Sequence, residues 1–142
     1  MLYACLDVID KVTENISTTF GDLNDIVIGG MRDDVAAPYA VVIVGYSDIA
    51  ENALGGVYEC TMNVAVTVVR KIAEDTTPEL QKLTDAKALI ATVMSEARPY
   101  ADAASMVVVT NIDLSESDEP QQDSYEFTVE LQFWVLGKLV EV

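Results

Sequence analysis

Residues 124–135, SYEFTVELQFWV, alternate between two kinds of side chain along their whole length. The first set is apolar: Tyr125, Phe127, Val129, Leu131, Phe133 and Val135. The intervening set carries the polar groups: Ser124, Glu126, Thr128, Glu130, Gln132 and Trp134. Successive side chains of a strand point to opposite faces, so this pattern predicts a half-buried antiparallel β-strand. The segment is longer than the usual strand of ~5–6 residues. We expect its edges and its polar face to need cover, which a second copy of the chain could supply.

Two other segments have the three- and four-residue apolar spacing that is typical of amphipathic helices. The first runs from Leu2 to about Thr19. Its predicted inward set is Leu2, Cys5, Leu6, Ile9, Val12 and Ile16. The second begins at Pro78 behind a threonine cap, with Glu79 in its first turn, and runs to about Ala97. Its predicted inward set is Leu80, Leu83, Ala86, Leu89, Ile90, Val93, Met94 and Ala97.

Further strands are predicted by their β-branched and aromatic residues. Residues 38–46 and 57–70 form a hairpin around the loop 47–56, and residues 105–114 pair with the last strand across the acidic loop 115–123. Residues 25–28 are a short additional strand. The order α-β-β-α-β-β predicts one α+β domain over residues 1–142, a mainly antiparallel β-sheet with two helices packed on one face.

Charge is the second strong feature of the chain. Its 142 residues hold 24 acids, 8 bases and no histidine, for a formal net charge of −16. Residues 61–98 hold five acids and five bases, so the negative charge comes from the two ends of the chain. Binding of DNA or RNA by phosphate neutralisation needs a basic surface and is therefore disfavoured. An acidic passage that nucleic acid crosses without sticking is compatible with this charge. Solubility or adaptation to high salt is the simpler alternative.

The residue types argue against an enzyme. Without histidine there is no Ser-His-Asp or Cys-His system, and two distant cysteines do not make a zinc site. Neither glycine pair, 29–30 or 55–56, is followed by the Lys-Ser or Lys-Thr of a phosphate-binding loop. We therefore expect no catalytic residues, no metal and no cofactor. The acid groups at 33–34 and 113–119 are candidate ligands of a divalent cation, but they lack EF-hand spacing, which favours solvated loops.

Location and redox state are less specific. The longest apolar runs, 40–44 and 64–69, are far shorter than the ~20 residues of a membrane helix, and the first residues carry no basic region of a signal peptide. Cys5 and Cys60 both fall on apolar faces, which indicates buried thiols in a reduced compartment, although a disulfide between them stays open.

Trp134 lies on the polar face of the last strand beside Glu130 and Gln132. A large aromatic side chain there is often an interface anchor. Alternatively, a helix or the C-terminal tail covers it. With Glu126, these residues are the predicted oligomer interface.

The order of elements resembles that of the tail terminator (tail completion) and neck proteins of long-tailed bacteriophages. The resemblance covers most of the chain: an N-terminal helix, the strand that begins PYAVV at residue 38, a glycine-rich loop, a long alternating strand, a second helix and an acid-rich hairpin. It includes no catalytic motif, and many α+β modules share this order.

The resemblance implies a structural virion protein, assembled in the host cytoplasm and placed in the tail or neck. Such proteins form a ring, usually a hexamer, on the head-proximal end of the tail tube; the ring ends tube growth and joins the tail to the head connector. DNA passes through the ring without specific binding. The acids that would then line the lumen or a ring face are Asp113, Glu116, Asp118, Glu119 and Asp123. The residues that would contact the tail tube protein are Ser47, Asp48, Glu51 and Asn52.

Two other functions fit the same residues. One is a head-closure or connector protein of the same neck. The other is a small α+β binding module that dimerises through an edge strand.

Overall fold

The computed structural model describes residues 2–30, 36–46, 49–51, 56–72, 77–95, 106–114 and 124–137. The helices are α1 (Leu2–Thr19) and α2 (Pro78–Ser95). The strands are β1 (Asp25–Ile28), β2 (Tyr39–Tyr46), β3 (Ala50–Glu51), β4 (Tyr58–Lys71), β5 (Met106–Asp113) and β6 (Ser124–Gly137). The strands form one sheet in the order β1-β2-β4-β6-β5, with β3 beside β4. The α+β class is therefore confirmed, with all pairs antiparallel except β1 and β2, which are parallel.

The inner face of the sheet holds the core. Apolar residues of β6 stand directly opposite apolar residues of β4, as in the pairs Phe133–Met62 and Leu131–Val64. All six inward residues of β6 predicted from the alternation are buried. The buried residues of both helices belong to the same cluster, so the prediction of two helices on one face is confirmed.

The edges of β6 are covered within the same chain. It lies between β4 and β5 and pairs with both. These two edges therefore need no second copy of the chain to cover them. Strands β1 and β5 form the ends of the strand order, and β6 is an interior strand because it pairs with β5 on one edge and with β4, which is equally long at 14 residues, on the other.

The rotation of both helices differs in part from the prediction. Leu6 of α1 and Leu80, Leu83 and Met94 of α2 are exposed rather than inward. The predicted inward residues Ala86, Leu89 and Val93 are buried, and two charged residues of α2, Lys82 and Asp85, are buried beside them. The sequence of α2 is apolar on two opposite sides, so its spacing alone did not determine which side meets the sheet. Ala97 and the side chain of Leu2 lie outside the described part.

One prediction tests the inner face of β6. Leu131→Ala should lower the free energy of unfolding by about 2–5 kcal/mol, because it leaves a cavity among well-packed neighbours. Leu136→Ala, on the same strand, should cost less than about 1 kcal/mol, since Leu136 is 49% exposed whereas Leu131 is 1% exposed. Urea denaturation of both variants and the unchanged protein measures the difference. Equal losses for the two variants would contradict this packing.

Candidate functional site

The candidate site is the outer face of the sheet, the side that faces away from both helices. It is formed by the alternate residues of β2, β4, β6 and β5 that do not enter the core. Register places Trp134 between Thr61 and Met106, and Glu130 between Ala65 and Asn111.

The two ends of the outer face differ in exposure. At the end where β1 pairs with β2, an apolar cluster is buried: Val27, Ala37, Tyr39, Val41 and Val69. At the other end, large apolar side chains are exposed: Met106, Trp134 and Leu136. Trp134 keeps 45% of its surface exposed. An exposed apolar group rimmed by polar side chains is typical of an interaction surface.

Polar side chains cross the middle of the outer face. The hydroxyls of Thr67 and Thr128 are 2.8 Å apart and share a hydrogen bond. The Gln132 amide Nε2 donates to Asn63 Oδ1 at 3.2 Å. These cross-strand hydrogen bonds fix the four side chains in place on the sheet. A partner that binds here would therefore pay less conformational entropy to order them.

The charge of the outer face is mainly negative. Four acids belong to the outer face by register: Glu59, Glu126, Glu130 and Asp113. The base Lys71 lies at the end of β4 that pairs with Ser124 of β6. Apolar residues therefore stand among carboxylates at the exposed end. Such a surface favours a partner that is apolar and carries positive charge.

The structure brings the four predicted interface residues together on one face. Glu126, Glu130, Gln132 and Trp134 all lie on the outer face of β6, and Trp134 is the most exposed of them. Sequence reasoning missed the apolar residues around Trp134, namely Met106 and Leu136.

The predicted lumen acids are only partly described. Asp113 is the last residue of β5, opposite Thr128, and is exposed. Glu116, Asp118, Glu119 and Asp123 lie outside the described residues.

Of the predicted tail-tube residues, Glu51 is described. It lies in β3, paired with Tyr58 of β4, and its Oε1 accepts the Gly56 backbone N–H at 3.1 Å. The interval 47–56 therefore contains a short strand rather than loop alone. Ser47, Asp48 and Asn52 lie outside the described residues, as do Asp33 and Asp34.

A second polar group lies under the helices, and sequence reasoning missed it. The Arg70 guanidinium contacts Asp85 at 3.0 Å and Asp22 at 3.2 Å, and it stacks over the Phe20 ring at 5.0 Å. The Tyr125 hydroxyl donates to the same Asp85 carboxylate. Lys82 Nζ, also buried, donates to the Leu114 carbonyl at 3.1 Å. We call Arg70, Asp85 and Tyr125 the buried triad.

Electrostatics explain why the buried triad is stable. Burial alone would lower the pKa of Arg70, but the carboxylates of Asp85 and Asp22 raise it above its ordinary value. Burial raises the pKa of Tyr125, and the hydrogen bond to Asp85 raises it further, well above the ordinary value. Each charged group thus has an opposite charge or a hydrogen bond, which offsets the cost of its burial. The triad joins α2 to β4 and β6 and offers no nucleophile with a base.

The two cysteines also meet in the core. Both are buried free thiols, one on α1 and one on β4. Burial raises the pKa of the Cys5 thiol to about 11, and the neighbouring Cys60 raises it through its charge and a hydrogen bond. A thiol so difficult to ionise is a poor nucleophile, so this pair has the character of core packing.

Other sites have little support. Among the described residues, no group of three or more acidic or cysteine side chains is placed to hold a metal ion. An open groove of about 340 Å³ beside the end of α1 is lined by Ser17, Phe20, Gly21, Leu23, Asp25 and Ile26. It brings one carboxylate next to apolar groups, which does not define a reaction. No described helix has the length and apolar character needed to cross a bilayer.

Comparison of the sequence with protein-family models and with curated proteins found no match.

A first prediction concerns the Tyr125 hydroxyl. Tyr125→Phe should lower the free energy of unfolding by about 1–3 kcal/mol at neutral pH, because buried Asp85 loses a hydrogen-bond donor. Tyr3→Phe, on the exposed side of α1, is the matched control and should change it by less than about 0.5 kcal/mol. Chemical denaturation measures both. A Tyr125→Phe variant as stable as the control would contradict the assigned bond.

A second prediction concerns alkaline pH. The raised pKa values of Cys5 and Tyr125 mean that the unfolded chain releases these protons at lower pH than the folded protein. Between neutral pH and about pH 8.5 these two groups should leave the free energy of unfolding unchanged, and it should then fall as the pH rises through the ordinary cysteine and tyrosine values. Cys5→Ser should remove the earlier part of the fall and Tyr125→Phe the later part. Variants that retain the complete decline would contradict these pKa directions.

Proposed function

We propose that this chain is a structural virion protein, a tail terminator of a long-tailed bacteriophage. Its copies form a ring, most simply a hexamer, on the head-proximal end of the tail tube. The ring ends polymerisation of the tail tube protein and presents a surface to the head-tail connector or head-closure protein. The protein assembles in the host cytoplasm and becomes part of the tail or neck of the virion.

The observation that carries the proposal is the exposed end of the outer face. Trp134, Met106 and Leu136 remain exposed on a sheet whose two longest strands, β4 and β6, are paired on both edges. Covering that surface with protein stabilises an assembly, because it removes apolar area from water. The α+β element order, which resembles the tail terminators, supports an assembly role over catalysis.

Charge supports the passage of DNA. A ring built from copies that each carry a net charge of −16 has a negative potential, and phosphates are repelled from a negative lumen. DNA would cross such a ring without binding it, since binding would require cations near the phosphates. Asp113 at the end of β5 and the acids that follow it in the chain are the proposed lumen or ring-face groups.

The second candidate is a small dimeric α+β binding module. The same exposed apolar end favours it, because two copies could cover one patch each. It predicts a closed dimer and no effect on tail tubes. A head-closure or connector role in the same neck would give a ring that binds the portal side rather than the tube end.

The test is a capping assay. Tail tube protein is allowed to polymerise with and without this protein, and the products are measured by negative-stain electron microscopy and native mass spectrometry. We expect a ring at one end of each tube and a halt in elongation at substoichiometric amounts. Trp134→Ala should reduce capping, whereas Leu6→Ala, which removes an exposed leucine from α1, should not. Persistent monomers or dimers that never cap a tube would contradict the proposal.

A further inference from the structure

Helix α2 is apolar on two opposite sides. One side packs into the core through Ala86, Leu89 and Val93. The other side carries a row of exposed residues that we call the α2 stripe: Leu80, Leu83, Lys87, Ala91 and Met94. At 3.6 residues per turn these five residues fall within one narrow sector of the helix, opposite the buried side. Leu80 and Leu83 are 58% and 55% exposed.

Helix α1 provides the contrast. Its outward side exposes Tyr3 and Leu6, but it carries three exposed acids beside them, Asp7, Asp10 and Glu14. The α2 stripe carries no acid, although the chain has a net charge of −16, and its charged member is the base Lys87. A helix that is apolar on both sides is typical of one that is covered on both sides. The stripe is therefore suited to a partner surface that is apolar and negatively charged.

The outer face of the sheet has that complementary character. Its exposed apolar end holds Trp134, Met106 and Leu136, and Glu130 lies four residues before Trp134 on the same face of β6. Glu126 and Glu59 add negative charge on the same face. The two surfaces thus match in apolar character and are opposite in charge.

We propose that a second copy of this chain is the partner: the α2 stripe of one copy packs against the exposed end of the outer face of the next. This inference deepens the proposed ring and rests on it. Contact between two stripes would bring Lys87 against Lys87, and contact between two outer faces would bring Glu126 and Glu130 against their equivalents. Both like-with-like arrangements are disfavoured by repulsion, whereas the unlike pairing brings Lys87 toward Glu130.

The direction of the two surfaces determines the kind of assembly. The helices lie on the inner face, so the α2 stripe and the outer face point away from each other on opposite sides of the sheet. A contact between them is heterologous and repeats from copy to copy. Such a contact makes a closed ring when the rotation per copy closes and a filament when it does not; it does not make a closed dimer.

The experiment uses two full-length variants that each break one surface. Leu83→Glu damages the α2 stripe, and Trp134→Glu damages the outer face. Leu136→Glu is a second outer-face variant for use if Trp134→Glu lowers thermal stability. Leu6→Glu is the matched control, since Leu6 is 57% exposed on α1 outside both surfaces. Sedimentation velocity and native mass spectrometry follow each protein over a range of concentrations.

We expect the unchanged protein and Leu6→Glu to form multi-copy species. Leu83→Glu and the outer-face variant should each need at least about thirtyfold higher concentration to assemble, the loss typical of an interface hot spot. An equal mixture of the two damaged variants should give heterodimers that stop at two copies, because one intact stripe and one intact outer face remain. Lys87→Glu should weaken assembly and Glu130→Lys in the same chain should restore it.

Three results would overturn the inference: an unchanged protein that stays monomeric, a Leu83→Glu variant that assembles normally, or a mixture without heterodimers. The capping assay separates this inference from the proposed function. If the Leu83→Glu variant still forms rings that cap tubes, the proposed contact of the α2 stripe is wrong and the proposed role in the tail is retained. If heterodimers form but the unchanged protein caps no tube, the head-to-tail contact stands and the tail role is wrong.

Discussion

The pairing of β4 with β6 is the interaction on which the rest of the structure depends. The two strands pair antiparallel over fourteen residues each, from Tyr58–Gly137 at one end to Lys71–Ser124 at the other. Because both strands alternate in the same phase, this register puts the apolar rows of both on the inner face at once. A shift of one strand by one residue would move its apolar row to the outer face while the row of its partner stays on the inner face, so the register is strongly specified. The other strands then add at the outer edges of this pair, and the helices cover its apolar side.

The buried triad lies at the end of the β4–β6 pair where Lys71 is opposite Ser124. Arg70 and Tyr125 are register partners on the inner face, at positions where an apolar pair would otherwise continue the core. Asp85 reaches them from α2, and Asp22 reaches Arg70 from the segment after α1. These partners explain why α2 can bury charged residues, and they favour the rotation in which Asp85 faces the sheet. That same rotation exposes Leu80, Leu83 and Met94.

The rotation of α2 links the core to the proposed assembly. One side of the helix satisfies the charges under it, and the opposite side is left with leucine, methionine and one lysine at the surface. The sheet has the converse arrangement: its inner face is apolar, and its outer face carries Trp134 and Leu136 together with the carboxylates of Glu59 and Glu130. The two exposed surfaces therefore follow from the rotation of α2 and from the alternation of the strands, which also form the core. In a ring they would bury what a single copy leaves exposed.

The sequence by itself determined the faces of the long strands, the extents of the helices and the α+β class. These follow from local periodicity, because a strand has only two faces and an alternating pattern assigns each residue to one of them. It also placed Glu126, Glu130, Gln132 and Trp134 together on the outer face. Only the tertiary structure decided that β6 is an interior strand beside β4 and which side of α2 is buried. It also decided that Cys5 and Cys60 meet and that Arg70, Asp85 and Tyr125 form one group. These features depend on contacts between residues far apart in the chain, and a helix that is apolar on two sides has no local pattern that selects one of them.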